Sequence, residues 1–379
     1  MWALARHATF AASVILFLHN RYRRSGGEER ALADLLWLVR EHLGEEAELL
    51  ERDSALLGRG AAATAMLRGG LDPTEVARAV RRTKARVVHA HNLQPAFGWR
   101  ALAAARDAGA RVIGHLHQYR LVCAVGVCFT QGSECTRCHG RNTLPGVLRH
   151  CRGSTGEALV YAGALSLWQR RATALMDSAI VPSEFALGRL RELGAPLPPA
   201  THVLANPVRD IAAQAPVRDA ADGYALFSGR LEPEKGLGVA IEACAIAGIP
   251  LTVAGEGSER MRFANVTGVR FLGQVADEEM AALRRGASVA LMPSLTSETF
   301  GLAAAEAMAA GIPVAASDIG ALGELVPRAW LSPPGDAAAL ARTIEALRRD
   351  PGAGASALAL ARERLDPGRL AATLARIYS

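Results

Sequence analysis

SETFGLAAAEAMAAGIPVAASD, Ser297 to Asp318, decides the architecture of this chain. The apolar run SVALMPS, Ser288 to Ser294, comes before it, and a run of this kind bounded by polar turns reads as a strand buried on both faces. A helical run of small apolar residues opens near Gly301, and IPVAASD then resumes the strand pattern. Strand, turn, helix and strand in that order make one unit of a parallel sheet covered by helices. The turn holds Glu298 and the helix holds Glu306, eight positions apart. The first amides of a helix have no intrahelical acceptor and carry the positive end of its dipole. The N–H groups around Phe300, Gly301 and Leu302 would therefore face an anion above the strand end, and Gly301 leaves room for close backbone approach. For any two glutamates at this spacing the simpler reading is two side chains in water. The almost wholly apolar run AAAEAMAAGIP argues otherwise, because Glu306 then lies where the helix packs and a buried carboxylate needs donors. A ligand hydroxyl is one such donor.

Upstream, YALFSGRLEPEKGLGVAIEA, Tyr224 to Ala243, repeats the pattern of buried strand, polar turn and helix. Arg230 and Lys235 then sit at the carboxyl end of a strand, where open α/β sheets bind ligands, and two cations there suit a diphosphate. Of the 43 basic residues only Lys84 and Lys235 are lysines. A compact ammonium is not interchangeable with a guanidinium at a tight phosphate contact, so the position of Lys235 carries information. The simpler reading is a solvated turn lysine.

Strand patterns alternate with helical ones along all 379 residues, half of them hydrophobic, which fits two α/β domains. ASVILFLHN, AELLERD, RVVHAHN, RVIGHLH and SAIVPS read as strands in the first half, and GYALFSG, IPLTVAGEG, VRFLGQV, SVALMPS and IPVAASD in the second. The Pro-rich stretch GAPLPPATHVLANPVRD, Gly194 to Asp210, interrupts both periodicities and is followed by an Ala/Asp-rich spacer. It marks domains at 1–205 and 206–365 with a hinge at Asn206 and Pro207, and PGRLAATLARIYS reads as a terminal helix over 366–379. Net charge is +9 to Ala205 and −3 beyond. A basic first half favours phosphate-rich partners; with no nucleic-acid motif, anionic lipid headgroups fit better than nucleic acid. The simpler reading is an arginine-rich surface in water.

The apolar stretch ATFAASVILFL is about half of the ~20 residues a membrane-crossing helix needs. Arg6 and His7 before it give a faint signal-peptide look, but a buried first strand is the better reading, since a Gly-rich loop and helix follow. A cytoplasmic location, peripheral on the inner face of the plasma membrane, is expected.

Five of the six cysteines fall between Cys123 and Cys151, within a loop over 118–157. Cys135 and Cys138 form a C-x-x-C flanked by Cys123 and Cys151, a set able to close a tetrahedral zinc site and order a long loop; Cys128, His139 and His150 are spare ligands. Such sites usually show two close pairs, so reduced thiols stand as the alternative, and disulfides do not suit a reducing compartment. Cys244, on an apolar helical face, reads as core. His117 ends the strand RVIGHLH, where sites gather, with His115 deeper on the same face. His89, His91 and Asn92 end a neighbouring strand, and His19 and Asn20 the first.

GRLEPEKG, VAGEGSE (Val253 to Glu259), FLGQV (Phe271 to Val275) and SETFGLAAAEAMAAGIPVAA together resemble the donor-binding half of the family-four retaining glycosyltransferases, of GT-B architecture. HNRYRRSGGEER (His19 to Arg30) and HLHQYRLVC (His115 to Cys123) are similar to the acceptor half, so the resemblance covers nearly the whole chain. It implies two Rossmann-like domains whose parallel sheets face across a cleft, with the terminal helix crossing back to the first domain. Arg230 and Lys235 would hold the donor diphosphate and stabilise the leaving nucleotide, Glu306 would accept from the ribose hydroxyls, and Glu298 would contact the donor sugar. Amides from Phe300 to Leu302 would meet phosphate or sugar. Gly26 and Gly27 would let the backbone approach the donor, His117 would sit over the reacting sugar, and Gln274 and Val275 would meet the base. Similar cysteine clusters occur in part of the family. Gln118 departs from the commoner Asp or Asn.

The expected reaction is glycosyl transfer from a nucleotide diphosphate sugar to an alcohol acceptor, a lipid-linked or cell-surface glycan precursor, with anomeric configuration kept. No Asp-x-Asp motif supports a divalent ion on the diphosphate, so charge stabilisation falls to Arg230, Lys235 and helix amides, and the chemistry requires no cofactor. A nucleotide-sugar epimerase shares the architecture but wants acid/base carboxylates that the pattern does not place. An inactive scaffold would be expected to lose Arg230, Lys235 or Glu306, and all three are present. Neither half has a G-x-G-x-x-G after its first strand, which disfavours a nicotinamide dehydrogenase.

Overall fold

The computed structural model describes residues 14–22, 26–212, 214 and 223–379. The beginning of the apolar run ATFAASVILFL, with Arg6 and His7, and most of the spacer after Asp210 lie outside the described residues.

In the N-terminal lobe the strands are β1 (Val14–Arg21), β2 (Glu46–Asp53), β3 (Val87–Ala90), β4 (Arg111–His115), a small hairpin β5 (Phe129–Thr130) and β6 (Ser133–Glu134), β7 (Ser178–Val181) and β8 (Thr201–Val203). In the C-terminal lobe they are β9 (Tyr224–Ser228), β10 (Leu251–Ala254), β11 (Val269–Gly273), β12 (Ala287–Met292), β13 (Val314–Ser317) and β14 (Leu331–Ser332). Each lobe has a six-stranded sheet, ordered β2-β1-β3-β4-β7-β8 and β11-β10-β9-β12-β13-β14. All pairings within the two large sheets are parallel.

The period of two is visible in β1. Ile15 and Phe17 join a core with Leu32 and Leu35 of the helix Gly27–His42, while Leu16 and Leu18 join the opposite core with Val76 and Leu102. The helix Pro367–Tyr378 packs on the first of these cores through Leu370, Leu374 and Ile377. Its end is fixed there: Tyr378 Oη lies 2.7 Å from His89 Nδ1, and Arg86 and Arg111 donate to the Tyr378 carbonyl at 2.7 and 3.0 Å. The C-terminal lobe has one continuous core, to which the wholly buried β12 contributes Val289 and Leu291.

Two segments differ from their sequence reading. The Pro-rich stretch contains β8, an edge strand of three residues too short to show a period between its prolines. The Cys-rich segment has its own apolar core, in which Tyr119, Val122, Cys123 and Cys128 pack on Val181 and on Leu187 and Leu190 of the helix Glu184–Glu192. Cys244 is core, and burial pushes its thiol up to about 12.

Candidate active site

The carboxyl ends of β9 and β12 carry the charged groups. After β9 the chain makes a single 3₁₀ turn, Pro233–Lys235, which Gly236 ends at φ 71°. A Cβ on Gly236 would collide with the Pro293 carbonyl oxygen, so only glycine brings this loop against the end of β12. Leu295 N–H donates to the Glu234 carbonyl at 2.8 Å and ties the two loops together. Lys235 Nζ then lies 2.6 Å from Glu298 Oε1, which also accepts from Ser294 Oγ at 2.6 Å. Arg230 Nη2 is 3.2 Å from Glu234 Oε1, and its side chain is 41% exposed, so the guanidinium keeps open donors. Burial pushes the Glu298 carboxyl up, but Lys235, the Ser294 hydroxyl and Arg230 outweigh it and hold the group below the usual carboxylate range.

Beyond Glu298, Gly301 adopts φ 93° and caps the helix Leu302–Ala309, which has no side-chain cap. A Cβ here would sit 2.7 Å from Leu322 Cδ2. The helix's first amides face the cleft, and Phe300, Gly301, Leu302 and Ala303 line it.

The N-terminal lobe closes the other side. Thr299 Oγ1 donates to the His117 carbonyl at 2.8 Å, Ser183 Oγ to the Thr299 carbonyl at 2.7 Å, and the Glu324 carboxylate accepts from the Glu184 and Phe185 amides at 3.1 and 2.5 Å. The enclosed cleft is about 2010 Å³ including its open mouth, and Gly26, Gly27, His117, Arg230, Lys235, Glu298, Phe300, Gly301 and Leu302 all line it. A Cβ on Gly26 would lie 3.6 Å from Arg230 Cδ, and one on Gly27 3.8 Å from Leu302 Cδ2; both are ordinary contacts.

Three of the expected residues, Glu306, Gln274 and Val275, do not line the cleft. Glu306 is one turn further along the helix, where Oε2 meets Arg284 at 2.5 Å and Oε1 meets Arg30 at 3.3 Å, so partners from both lobes already hold its oxygens. Gln274, exposed, and Val275, half-buried, follow β11, and Asp277 two positions further on pairs with Arg30 at 2.7 Å.

His117 belongs to a set of histidines that two neighbouring strands, β3 and β4, bring together. His117 Nε2 is 2.7 Å from His91 Nδ1, its ring stacks on His115 at 4.1 Å and 9°, and His115 stacks on His89 at 5.3 Å and 10°. Burial pushes His89, His91, His115 and His117 below the ordinary imidazole range, His115 to about 3, so the set is neutral. Among the described residues, His89, His91 and His115 are the only three or more metal-ligating groups whose ligand atoms lie within 4.8 Å of one another. Cys123, Cys135, Cys138 and Cys151 line one cavity of about 340 Å³ without closing to that distance.

Sequence reasoning missed a buried polar network at the mouth of the cleft. Glu28 Oε2 accepts from Tyr22 Oη at 2.8 Å and from Gln118 Nε2 at 3.3 Å, while Gln118 Oε1 accepts from Arg120 Nε at 2.9 Å. Burial raises the Glu28 carboxyl, and the Tyr22 hydroxyl, His19 and Arg120 only partly offset it. A signal existed in GGEE. Glu29, three residues after the cap at Gly26, takes the Gly26 amide at 2.8 Å as a capping box requires, which frees Glu28 for another role.

Two parallel sheets with cations, a glycine-capped helix and a histidine set converging between them define a protein of the GT-B fold class. Residues 222–350, within the C-terminal lobe, match the family described as glycosyl transferases group 1. The phosphatidyl-myo-inositol mannosyltransferase of Mycobacterium leprae is 36% identical over 179 residues, 40% of this chain and 45% of that protein. The glycogen synthase of Mycobacterium tuberculosis is 36% identical over 172 residues, 40% of this chain and 41% of that protein. The chain thus spans less than half the length of these relatives. Over the whole fold, Anabaena Alr3699/HepE in complex with UDP and glucose superposes with a TM-score of 0.61 at 19% identity, covering 96% of this chain and 99% of that one.

Proposed function

We propose that the protein transfers a glycosyl group from a nucleotide diphosphate sugar to an alcohol, with the anomeric configuration kept. One observation carries this reading: Arg230, the Lys235–Glu298 pair and the open amides of the helix Leu302–Ala309 line one cleft between the lobes. The diphosphate lies against Arg230, Lys235 and the amides, and the sugar lies between Glu298 and His117. The bond from the anomeric carbon to phosphate oxygen breaks as the acceptor oxygen bonds to the same face, and the acceptor proton passes to the departing phosphate oxygen. Charge developing on the phosphate is stabilised by groups already in place. Glu306 serves the ribose once Arg284 or Arg30 yields an oxygen, and Val275 meets the base. Of the relatives named above, the phosphatidyl-myo-inositol mannosyltransferase supports by its name a lipid-borne acceptor.

Calorimetric titration with uridine, guanosine and adenosine diphosphates tests the reading, and incubation of donor with and without acceptor separates transfer from epimerisation. Binding of none of the three defeats it. The basic N-terminal half supports a peripheral position on an anionic inner membrane face, and among the described residues no helix is long and apolar enough to cross a membrane. Equal sedimentation with anionic and neutral vesicles would refute that position. A structural zinc on Cys123, Cys135, Cys138 and Cys151 belongs to the same proposal, supported by their common cavity and the chemistry of four thiols. Less than a tenth of an equivalent of zinc in purified protein rules it out.

A further inference from the structure

A second cavity, of about 910 Å³ including its open mouth, is lined entirely by the N-terminal lobe. Its walls include Met66, Leu93, Trp99, Leu116, Leu165 and Trp168. The Trp99 and Trp168 rings lie 5.5 Å apart at 39°, fixed by a 2.9 Å hydrogen bond from Trp168 Nε1 to the Leu67 carbonyl and by the Arg171 guanidinium 3.6 Å from the Trp99 ring centroid. Tyr22, Glu28, His117, Gln118 and Arg120 line both this cavity and the cleft, so the two spaces share a neck.

The lining is predominantly apolar, with Glu28, Gln118 and Arg120 gathered on the side that faces the cleft. His91 Nε2 and His115 Nε2, on side chains 5% and 4% exposed, have no hydrogen-bond partner among the described residues, and neither do Gln94 Oε1 and Trp99 Nε1. A concave, aromatic-walled space with a small number of unsatisfied polar atoms has the form of an organic-ligand site, and apolar walls hold water poorly.

We propose that this cavity takes the apolar body of the acceptor, which is therefore an amphiphilic alcohol. Its hydroxyl stands at Glu28 and His117 in the shared neck, and its hydrocarbon lies beside Trp99 and Trp168. The assignment of the occupant as acceptor rests on the glycosyl-transfer reading above. Such an amphiphile comes either from a bilayer or as a soluble molecule. Leu67 and Leu167, 43% and 59% exposed and next in sequence to Met66 and Trp168, favour the bilayer.

The test titrates the full chain with n-hexyl, n-octyl and n-decyl glucosides below their micelle concentrations, and separately with the nucleoside diphosphates. Affinity for the glucosides rises roughly two- to fourfold per added methylene, the yield of burying one CH₂. Ala164→Phe, at a buried position in the cavity wall, removes that dependence and leaves nucleoside diphosphate binding unchanged. Trp168→Ala, at a half-buried position that tolerates truncation, weakens the decyl glucoside at least fivefold. Affinity that is flat across the series, or unaltered in both variants, overturns the proposal. Chain-length dependence without any nucleoside diphosphate binding overturns the transfer reading instead and leaves an apolar-ligand site. The same headgroup on a dialkyl anchor in phosphatidylcholine vesicles distinguishes the sources: vesicle recruitment indicates a bilayer lipid, and binding of the free glucosides alone indicates a soluble one.

Discussion

On the C-terminal wall of the cleft the ionisable groups are charged and paired, with Lys235 on Glu298 and Arg230 on Glu234, whereas on the N-terminal wall His117 ends a stack of four buried, neutral histidines beside the Glu28–Arg120 network. The first arrangement is ready for an anion, since cations held at strand ends meet a diphosphate without reorganising. The second sets neutral imidazoles beside a closed polar network of Glu28, Gln118 and Arg120, an arrangement with a hydrogen-bond acceptor for an alcohol. A diphosphate sugar is charged at one end and neutral at the other, and on the proposed reading the two walls would divide it accordingly.

The sharpest way to break this division is Lys235→Ala. It removes a cation from the phosphate and leaves the buried Glu298 with the Ser294 hydroxyl as its remaining close partner. Turnover is expected to fall by about two orders of magnitude, the usual scale for a lost charge-stabilising group. Steady-state kinetics with the nucleotide sugar that binds checks this, and unchanged turnover removes Lys235 from the assigned role.

The neutral wall is tested by pH. The folded imidazoles of His89, His91, His115 and His117 titrate below the ordinary 6.5, His115 near 3. Below pH 6.5 the unfolded chain therefore binds more protons than the folded one. Their contribution is complete above about pH 6.5 and is lost as pH falls, for His115 down to about pH 3. Each histidine then contributes a slope of up to about 1.4 kcal/mol per pH unit. Urea denaturation at pH 7.5 and 5.5 should show the loss, and His115→Leu should reduce its slope by about one proton. An unchanged slope would mean that His115 is not neutral in the fold.

The two walls also differ in how far they were legible. Arg230, Lys235, Glu298 and Gly301 come from two short loops whose residue types state their chemistry, and they meet because β9 and β12, separated in the chain by β10 and β11, are neighbours in the parallel sheet and end at the same edge. Glu306 was placed on the right helix, but its partners Arg284 and Arg30 come from a preceding helix and from the other lobe, and no local pattern announces them. The histidines were placed on neighbouring strand ends, but their stacking into one buried set depends on the β3–β4 register, which brings His89 and His115 face to face and which no local pattern announces. The cavity beside Trp99 and Trp168 was invisible for the same reason, since the two tryptophans are 69 positions apart on separate helices.

Glu28 marks the boundary between the walls, and Glu28→Gln sharpens where it falls. The variant keeps the shape and an acceptor for the Tyr22 hydroxyl but removes the ionisable carboxyl. If the acceptor hydroxyl is placed here, kcat/KM for the acceptor drops about tenfold, the loss of one hydrogen bond of roughly 1.4 kcal/mol, while nucleoside diphosphate affinity stays the same. A fall in diphosphate affinity instead would move Glu28 to the donor side.

The smallest effect separates what the fold needs from what a ligand needs. Gly301 and Gly26 both line the cleft, but Gly301 adopts φ 93° with Leu322 behind it, while Gly26 is extended at φ −151° and has only ordinary contacts around it. Gly301→Ala is therefore expected to destabilise the fold by about 1–3 kcal/mol, the cost of a left-handed conformation and a crowded Cβ. Gly26→Ala should change stability by no more than about 0.5 kcal/mol, as substitutions free of strain or burial do. Its methyl would stand beside Arg230, where the donor diphosphate approaches, so nucleoside diphosphate affinity should weaken about threefold, by roughly 0.7 kcal/mol. Thermal melts paired with calorimetric titration read both quantities on the same protein. A Gly26→Ala variant of full stability and full affinity would show that the donor keeps clear of this backbone and lies wholly against the C-terminal wall.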